Sequence, residues 1–173
     1  MRILIAGIGN IFHGYDAFGV EVASRLARRR LPEEVRVVDF GIRGFDLAYA
    51  LLDGYDVTVF VDATSRGEPP DSLYAFEIDP NATSGLDEQR IDGATHGMNP
   101  MRVLRMAQAM GGCPGWIPLV GCEPETLGPE DEGLMGLSAT GSAAVDRAAD
   151  VVEALIARLL EDSRNVTDTG AAA

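Results

Sequence analysis

The period of the apolar positions changes repeatedly along the chain, and each change marks an element. Residues 2–6 (RILIA) form a branched, apolar run stopped by Gly7 and Gly9. Over residues 16–30, Phe18, Val20, Val22, Ala23, Leu26 and Ala27 then recur at helical spacing, with Pro32 as the stop. This reads as strand, glycine turn, helix. A second strand is expected over residues 35–40, closed by Gly41 and Gly44, and a short amphipathic helix over residues 45–53. Residues 57–61 (VTVFV) are nearly all apolar, the pattern of a central strand buried on both faces.

The cluster SRGEPP is a turn, and residues 73–78 (LYAFEI) alternate as a strand does. So short a connection suits an antiparallel neighbour, since a parallel return needs a crossover of about a dozen residues or more. Residues 79–95 are loop-like. Asn99 and Pro100 introduce a helix reaching about Met110, with Val103, Leu104 and Ala107 on its inner face. Residues 116–120 (WIPLV) are expected as the last strand, with Pro118 where no amide donor is required. After a second loop, residues 142–160 place Ala144, Val145, Ala148, Val151, Val152, Leu155 and Leu159 at helical spacing as the buried stripe of the longest helix. The expectation is one domain over residues 1–161, of α/β class, and a frayed tail over residues 162–173, whose small polar side chains have nothing to bury.

Composition narrows the partners. With 173 residues, 46% of them hydrophobic, the chain can bury one core of ordinary size. Its formal charge of −13, from 27 acidic against 14 basic residues, repels phosphate backbones and anionic lipid, so neither nucleic acid nor a membrane surface is expected as a partner. The opening MRILIAGIGNIF is interrupted by Gly7, Gly9 and Asn10 too early for a signal core, and no stretch approaches the roughly 18 apolar residues of a membrane span. The expected compartment is the cytoplasm, where Cys113 and Cys122 would be reduced thiols without chemistry.

Three side chains carry the candidate chemistry. Asp16, Asp62 and His96 each stand just past an apolar run or at the opening of a helix, and in an open α/β sheet such positions converge at one edge. Two carboxylates and an imidazole make a site for a divalent cation of the nickel or zinc kind, with coordination positions left for a substrate. Each has a plainer reading: Asp16 as a helix cap, Asp62 as a cap at a strand end, and His96 and His13 as surface histidines. Gly7, Gly9 and Asn10 begin like a dinucleotide-binding turn, but Phe12 stands where a third glycine belongs, so a tight turn presenting the next functional residue is the better reading.

The segments Gly7-Ile8-Gly9-Asn10, Asp16-Ala17-Phe18-Gly19, Asp62-Ala63, His96 and Leu119-Val120-Gly121-Cys122-Glu123-Pro124, in that order and spacing, resemble the hydrogenase maturation endopeptidases, the proteases that finish the large subunit of nickel-iron hydrogenases. The resemblance runs from Met1 to about Leu160. It implies a three-layer α/β/α sandwich around a twisted five-stranded mixed sheet with one antiparallel strand. It also implies that Asp16, Asp62 and His96 are the catalytic, metal-contacting triad, and that the loop 39–44, with Asp39, Gly41 and Gly44, helps read the substrate. The chain departs from the family's pattern at Tyr15, where an acidic residue is common, and at Phe40, where a second glycine is more usual.

The activity so implied is removal of a C-terminal extension from a nickel-loaded hydrogenase large-subunit precursor, with nickel supplied by the precursor and another divalent cation able to occupy the site in isolation. No serine or cysteine has a histidine in a motif context that would make it a competing nucleophile. A non-catalytic nickel checkpoint or chaperone binding the same precursor is the alternative from another class. An aminopeptidase or nucleoside phosphorylase of similar architecture would need more ligands or a basic phosphate pocket.

Overall fold

The computed structural model describes residues 1–12, 14–79, 99–112, 115–125, 137 and 139–170. Five strands form one sheet: β1 (Ile3–Ile8), β2 (Val35–Gly41), β3 (Val57–Ala63), β4 (Leu73–Glu77) and β5 (Pro118–Cys122), in the order β2-β1-β3-β5-β4. The β1–β2, β1–β3 and β3–β5 pairs are parallel, and β4 runs antiparallel to β5 at the edge. The four α-helices among the described residues are α1 (Phe18–Leu26), α2 (Gly44–Leu51), α3 (Pro100–Ala109) and α4 (Ala139–Gly170). The expected mixed five-stranded sheet with one antiparallel strand is therefore what the chain forms.

Period-two alternation along the central strands sorts their side chains into two cores. Ile3 and Ile5 of β1 with Val57, Val59 and Val61 of β3 pack under α1 and α4. Leu4, Ala6 and Phe60 point the other way, against Leu47 and Leu51 of α2 and Leu104 and Ala107 of α3. Handedness explains the split. The chain steps from β1 outward to β2 and then back across to β3, and two right-handed crossovers travelling in opposite directions must place their helices on opposite faces. The strand order thus reverses between β1 and β3, and a crevice opens outside the carboxyl ends of these two strands.

Several boundaries differ from the expectations, each for a physical reason. Helix α1 ends at Leu26 rather than continuing to Pro32, because past Leu26 the run Arg28, Arg29, Arg30 has no apolar side chain to bury. Strand β5 begins at Pro118, the first-residue position that proline tolerates, and Trp116 contributes only a single bridge to Val57. Helix α3 starts as expected, with the Asn99 side chain accepting from the amide of Met101 at 2.8 Å and Pro100 in the first turn. The last helix runs from Ala139 through Gly170, so residues 162–170 are helical and not a frayed tail. No glycine or proline intervenes between Leu160 and Gly170, so the helix propagates although Glu161 and Asp162 are exposed. Its buried stripe is Ala144, Val145, Ala148, Ala149, Val152, Ile156 and Leu160, while Val151, expected on that stripe, is 42% exposed.

Candidate functional site

Gly7, Gly9 and Gly19 bring the two aspartates together. A Cβ on Gly19 would lie 2.1 Å from the carbonyl oxygen of Val61 and 2.2 Å from that of Ile8, and one on Gly7 would lie 2.4 Å from the carbonyl of Gly19. Helix α1 can therefore sit directly on the backbones of β1 and β3. Between β1 and α1 the chain turns through Gly9, at φ +137° with no room for a Cβ beneath the carbonyl of Asp16, and then through a 3-10 turn, Gly14–Ala17. That turn buries Asp16 at 5% exposure, and its Oδ2 accepts from the amide of Asn10 at 3.0 Å. The capping reading of Asp16 does not hold: the residue at the cap of α1 is Ala17, and no side chain caps that end.

Asp62 lies inside β3 rather than after it, in register with Gly121 of β5, and is 2% exposed. It shares the parity of Phe60, whose side chain packs on the face covered by α2 and α3. Its Oδ2 is buried and finds no hydrogen-bond donor among the described residues. Burial, and then the negative charge of Asp16, push its proton affinity well above the usual carboxylate range, against a partial offset from the amide of Ala63. Two neighbouring buried carboxylates, one with an orphaned oxygen, fit a divalent cation: the charge that destabilises each of them alone would be neutralised by it. His96 lies outside the described residues, as does His13. Among the described residues no group of three metal-ligating side chains forms, so the structure brings together two members of the expected triad.

The expected substrate loop lies against the glycine turn that precedes Asp16. Asp39 is level with Gly7 in the β1–β2 register, Phe40 is the extra residue of a bulge, and Gly41 pairs with Ile8. Gly41 takes φ +54°, and its carbonyl accepts from the amide of Gly9 at 3.1 Å, so the two turns are tied to each other. Gly44 opens α2. Arg43 donates to the carbonyl of Asp39 and pairs with Asp46 at 3.3 Å. These segments frame a cleft of about 190 Å³ lined by Asn10, Phe12, Asp39, Ile42 and Arg43 among others. Phe12 and Ile42 are each 58% exposed at its rim.

The sequence reading assigned no role to Glu123. Buried at the end of β5, its carboxylate accepts from Ser65 Oγ at 2.9 Å, the Arg66 amide at 2.6 Å and the Gly67 amide at 3.2 Å. Burial alone would raise its proton affinity, but these donors and the Glu68 amide outweigh burial and hold it below the ordinary value. It thereby folds the segment that follows Asp62, where Tyr74 also donates to the carbonyl of Thr64. The legible signal was an acidic residue ending an otherwise apolar strand, the same signal that marks Asp62. Cys122 beside it is a free buried thiol pushed up to about 12 by burial, which leaves it without nucleophilic character. Cys113 is outside the described residues.

Comparison with known proteins agrees with the fold. The family model described as hydrogenase maturation protease matches residues 20–155. The hydrogenase expression/formation protein HupD of Rhodobacter capsulatus is 34% identical over 134 residues, covering 76% of this chain and 60% of that protein, so this chain spans less than two thirds of that relative. Among solved structures, the hydrogenase maturating endopeptidase HybD from E. coli superimposes with a TM-score of 0.71 at 28% identity, over 91% of this chain and 93% of that one. A hydrogenase 2 maturation peptidase from a Thaumarchaeota archaeon gives 0.65 at 34% identity, over 90% and 98%.

Proposed function

The chain belongs to the hydrogenase maturation protease family, and on that premise we propose that it is a metal-dependent endopeptidase that removes the C-terminal extension of a nickel-loaded hydrogenase large-subunit precursor. The observation that carries this reading is the orphaned Oδ2 of Asp62 beside the carboxylate of Asp16 at the switch point of the sheet.

In this reading the nickel belongs to the substrate, and Asp16, Asp62 and His96 complete its coordination. A divalent cation so held polarises a peptide carbonyl and makes water more acidic. Asp16, fixed by the Asn10 amide, orients the site. Whichever of the Asp16 and Asp62 carboxylates keeps an oxygen off the metal would take the proton of the attacking water and return it to the leaving amine. Asp39 and Gly41 border the cleft in which the peptide ahead of the scissile bond would lie, with Phe12 and Ile42 offering it apolar contact, and Gly44 follows the cleft-lining Arg43. Recognition of the metal and alignment of the bond are then one event, and a subunit lacking nickel lacks the binding energy that orients its own cleavage.

No helix of the described residues is long and apolar enough to cross a membrane, and the proposed place of action is the cytoplasm. The test is to incubate purified protein with nickel-loaded precursor and weigh the product by mass spectrometry. Loss of one C-terminal peptide, absent with Asp62→Asn, supports the endopeptidase. Stable binding at unchanged mass would instead make the protein a non-catalytic nickel checkpoint or chaperone.

A further inference from the structure

Tyr15 immediately precedes Asp16 in the 3-10 turn and is itself buried. Its hydroxyl lies 3.0 Å from Asp71 Oδ1 and 3.3 Å from Glu125 Oε2, two carboxylates from different loops offered to one phenolic hydrogen. Asp71 is held in an uncommon conformation, with φ +61°, and is the one non-glycine residue so placed among the described residues. Both of its peptide groups are engaged: its amide donates to the carbonyl of Glu123 at 2.9 Å, and its carbonyl accepts from Arg147 Nη2 at 2.9 Å. An aspartate in a strained conformation persists only where the surroundings over-determine it. Here the surroundings orient its carboxylate toward the phenol. Room for the ring comes from Gly141 of α4, where a Cβ would stand 3.2 Å from the ring's Cζ.

The same network reaches the other aspartate. Glu123, which receives the Asp71 amide on its carbonyl, gathers Ser65, Arg66 and Gly67 on its carboxylate, and these residues lie three to five positions after Asp62 in the chain. A continuous path therefore runs from the turn carrying Asp16, through the Tyr15 hydroxyl and Asp71, to Glu123 and the segment leaving β3. The turn opens on a glycine at φ +47°.

We propose that Tyr15 is a positioning residue, whose hydroxyl, anchored on Asp71 with Glu125 in reach, sets the placement of the Asp16 carboxylate relative to Asp62. The inference rests on the proteolytic reading above for its catalytic consequence, and on the hydrogen bond from Asn10 to Asp16 for a consequence independent of catalysis. Tyr15→Phe keeps the ring and deletes the donor. It should lower kcat about tenfold, the order one lost hydrogen bond supplies, with KM little changed. Asp71→Asn keeps an acceptor and favours the same backbone conformation, so it should behave as wild type. Asp71→Gly adopts that conformation without an acceptor and should fall between wild type and Tyr15→Phe, because Glu125 remains. Adding Asp71→Gly to Tyr15→Phe should cost nothing further, as expected for two changes that break one interaction.

Amide hydrogen exchange supplies the second readout. In Tyr15→Phe the amide of Asn10, which donates to Asp16 Oδ2, should exchange about tenfold faster, while amides of the central strands at Ile5 and Val59 keep their wild-type rates. Equal acceleration of all three would show a merely structural tyrosine and overturn the proposal. So would an unchanged Asn10 amide, or full additivity in the double variant. If wild-type protein cleaves no precursor, the proteolytic reading fails, and the exchange of Asn10 still decides the positioning claim.

Discussion

Gly19 lies against the carbonyl of Val61 so closely that an added Cβ would stand 2.1 Å from its oxygen. Val61 is the residue before Asp62, and Gly19 is three residues after Asp16, so this contact sets how near the two aspartates approach. Gly19→Ala has no soft side chain to displace, only backbone on both sides. It should destabilise the protein by at least about 2 kcal/mol, the range of overpacked cores, and depress cleavage beyond the loss of folded protein. Urea denaturation followed by a cleavage assay on the folded fraction measures both.

The Asp62 carboxylate is a cost to the metal-free fold. Its folded proton affinity is raised, so the folded state binds more protons than the unfolded one above the ordinary carboxylate pKa of 3.8. Stability of the apo-protein should therefore fall as pH rises from that value through the raised one, and remain lowered above it. Asp62→Asn removes the charge. The variant should be inactive yet melt higher than wild type at pH 7, by about 2–4 °C if about 1 kcal/mol is recovered in a chain of this size. Calorimetry on apo-protein across pH 4 to about 8 would show the two curves converging at the acid end.

Much of this was legible in the sequence. The nearly all-apolar run at 57–61, the capped start of α3 at Asn99-Pro100 and the short 64–72 connection leading into an antiparallel β4 are local signals, and the chain obeys them. Asp16 stood out as an acidic residue opening a helix, and Asp62 as one ending an apolar run. The role of Glu123 was not, because it consists of three donors from a loop 56 to 58 residues away in sequence. Nor was the face of Val151 legible: with apolar residues at both 151 and 152, periodicity admits two stripes, and only the position of α1 beside α4 selects the one through Ala149, Val152 and Ile156.

That selection has a direct test. Val152→Asp would bury a charge among Val145, Ile156 and the strands, and should cost more than about 4 kcal/mol or prevent folding. Val151→Asp changes a half-exposed side chain and should stay within about 0.5 kcal/mol of wild type. Chemical denaturation of the pair checks the orientation of the helix.

Glu123 gives an acid-side signature. Its folded proton affinity is held below the ordinary 4.5, so its contribution to stability is fully present above that value and is lost as pH falls through the lowered folded value. Glu123→Gln should destabilise the protein by about 1.5–3 kcal/mol at pH 7, the range for hydrogen bonds to a charged group. The gap to wild type should narrow as the solution is acidified below 4.5, which denaturant midpoints taken at several pH values would record.

The central claim is that the Asp16–Asp62 pair acts on a metal the substrate brings. Enzyme stripped with chelator and then freed of it would be mixed in parallel with nickel-loaded and nickel-free precursor, and the precursor mass followed with time. The account predicts cleavage of the nickel-loaded precursor by the stripped enzyme and none of the nickel-free form. Efficient cleavage of nickel-free precursor by the stripped enzyme would contradict it.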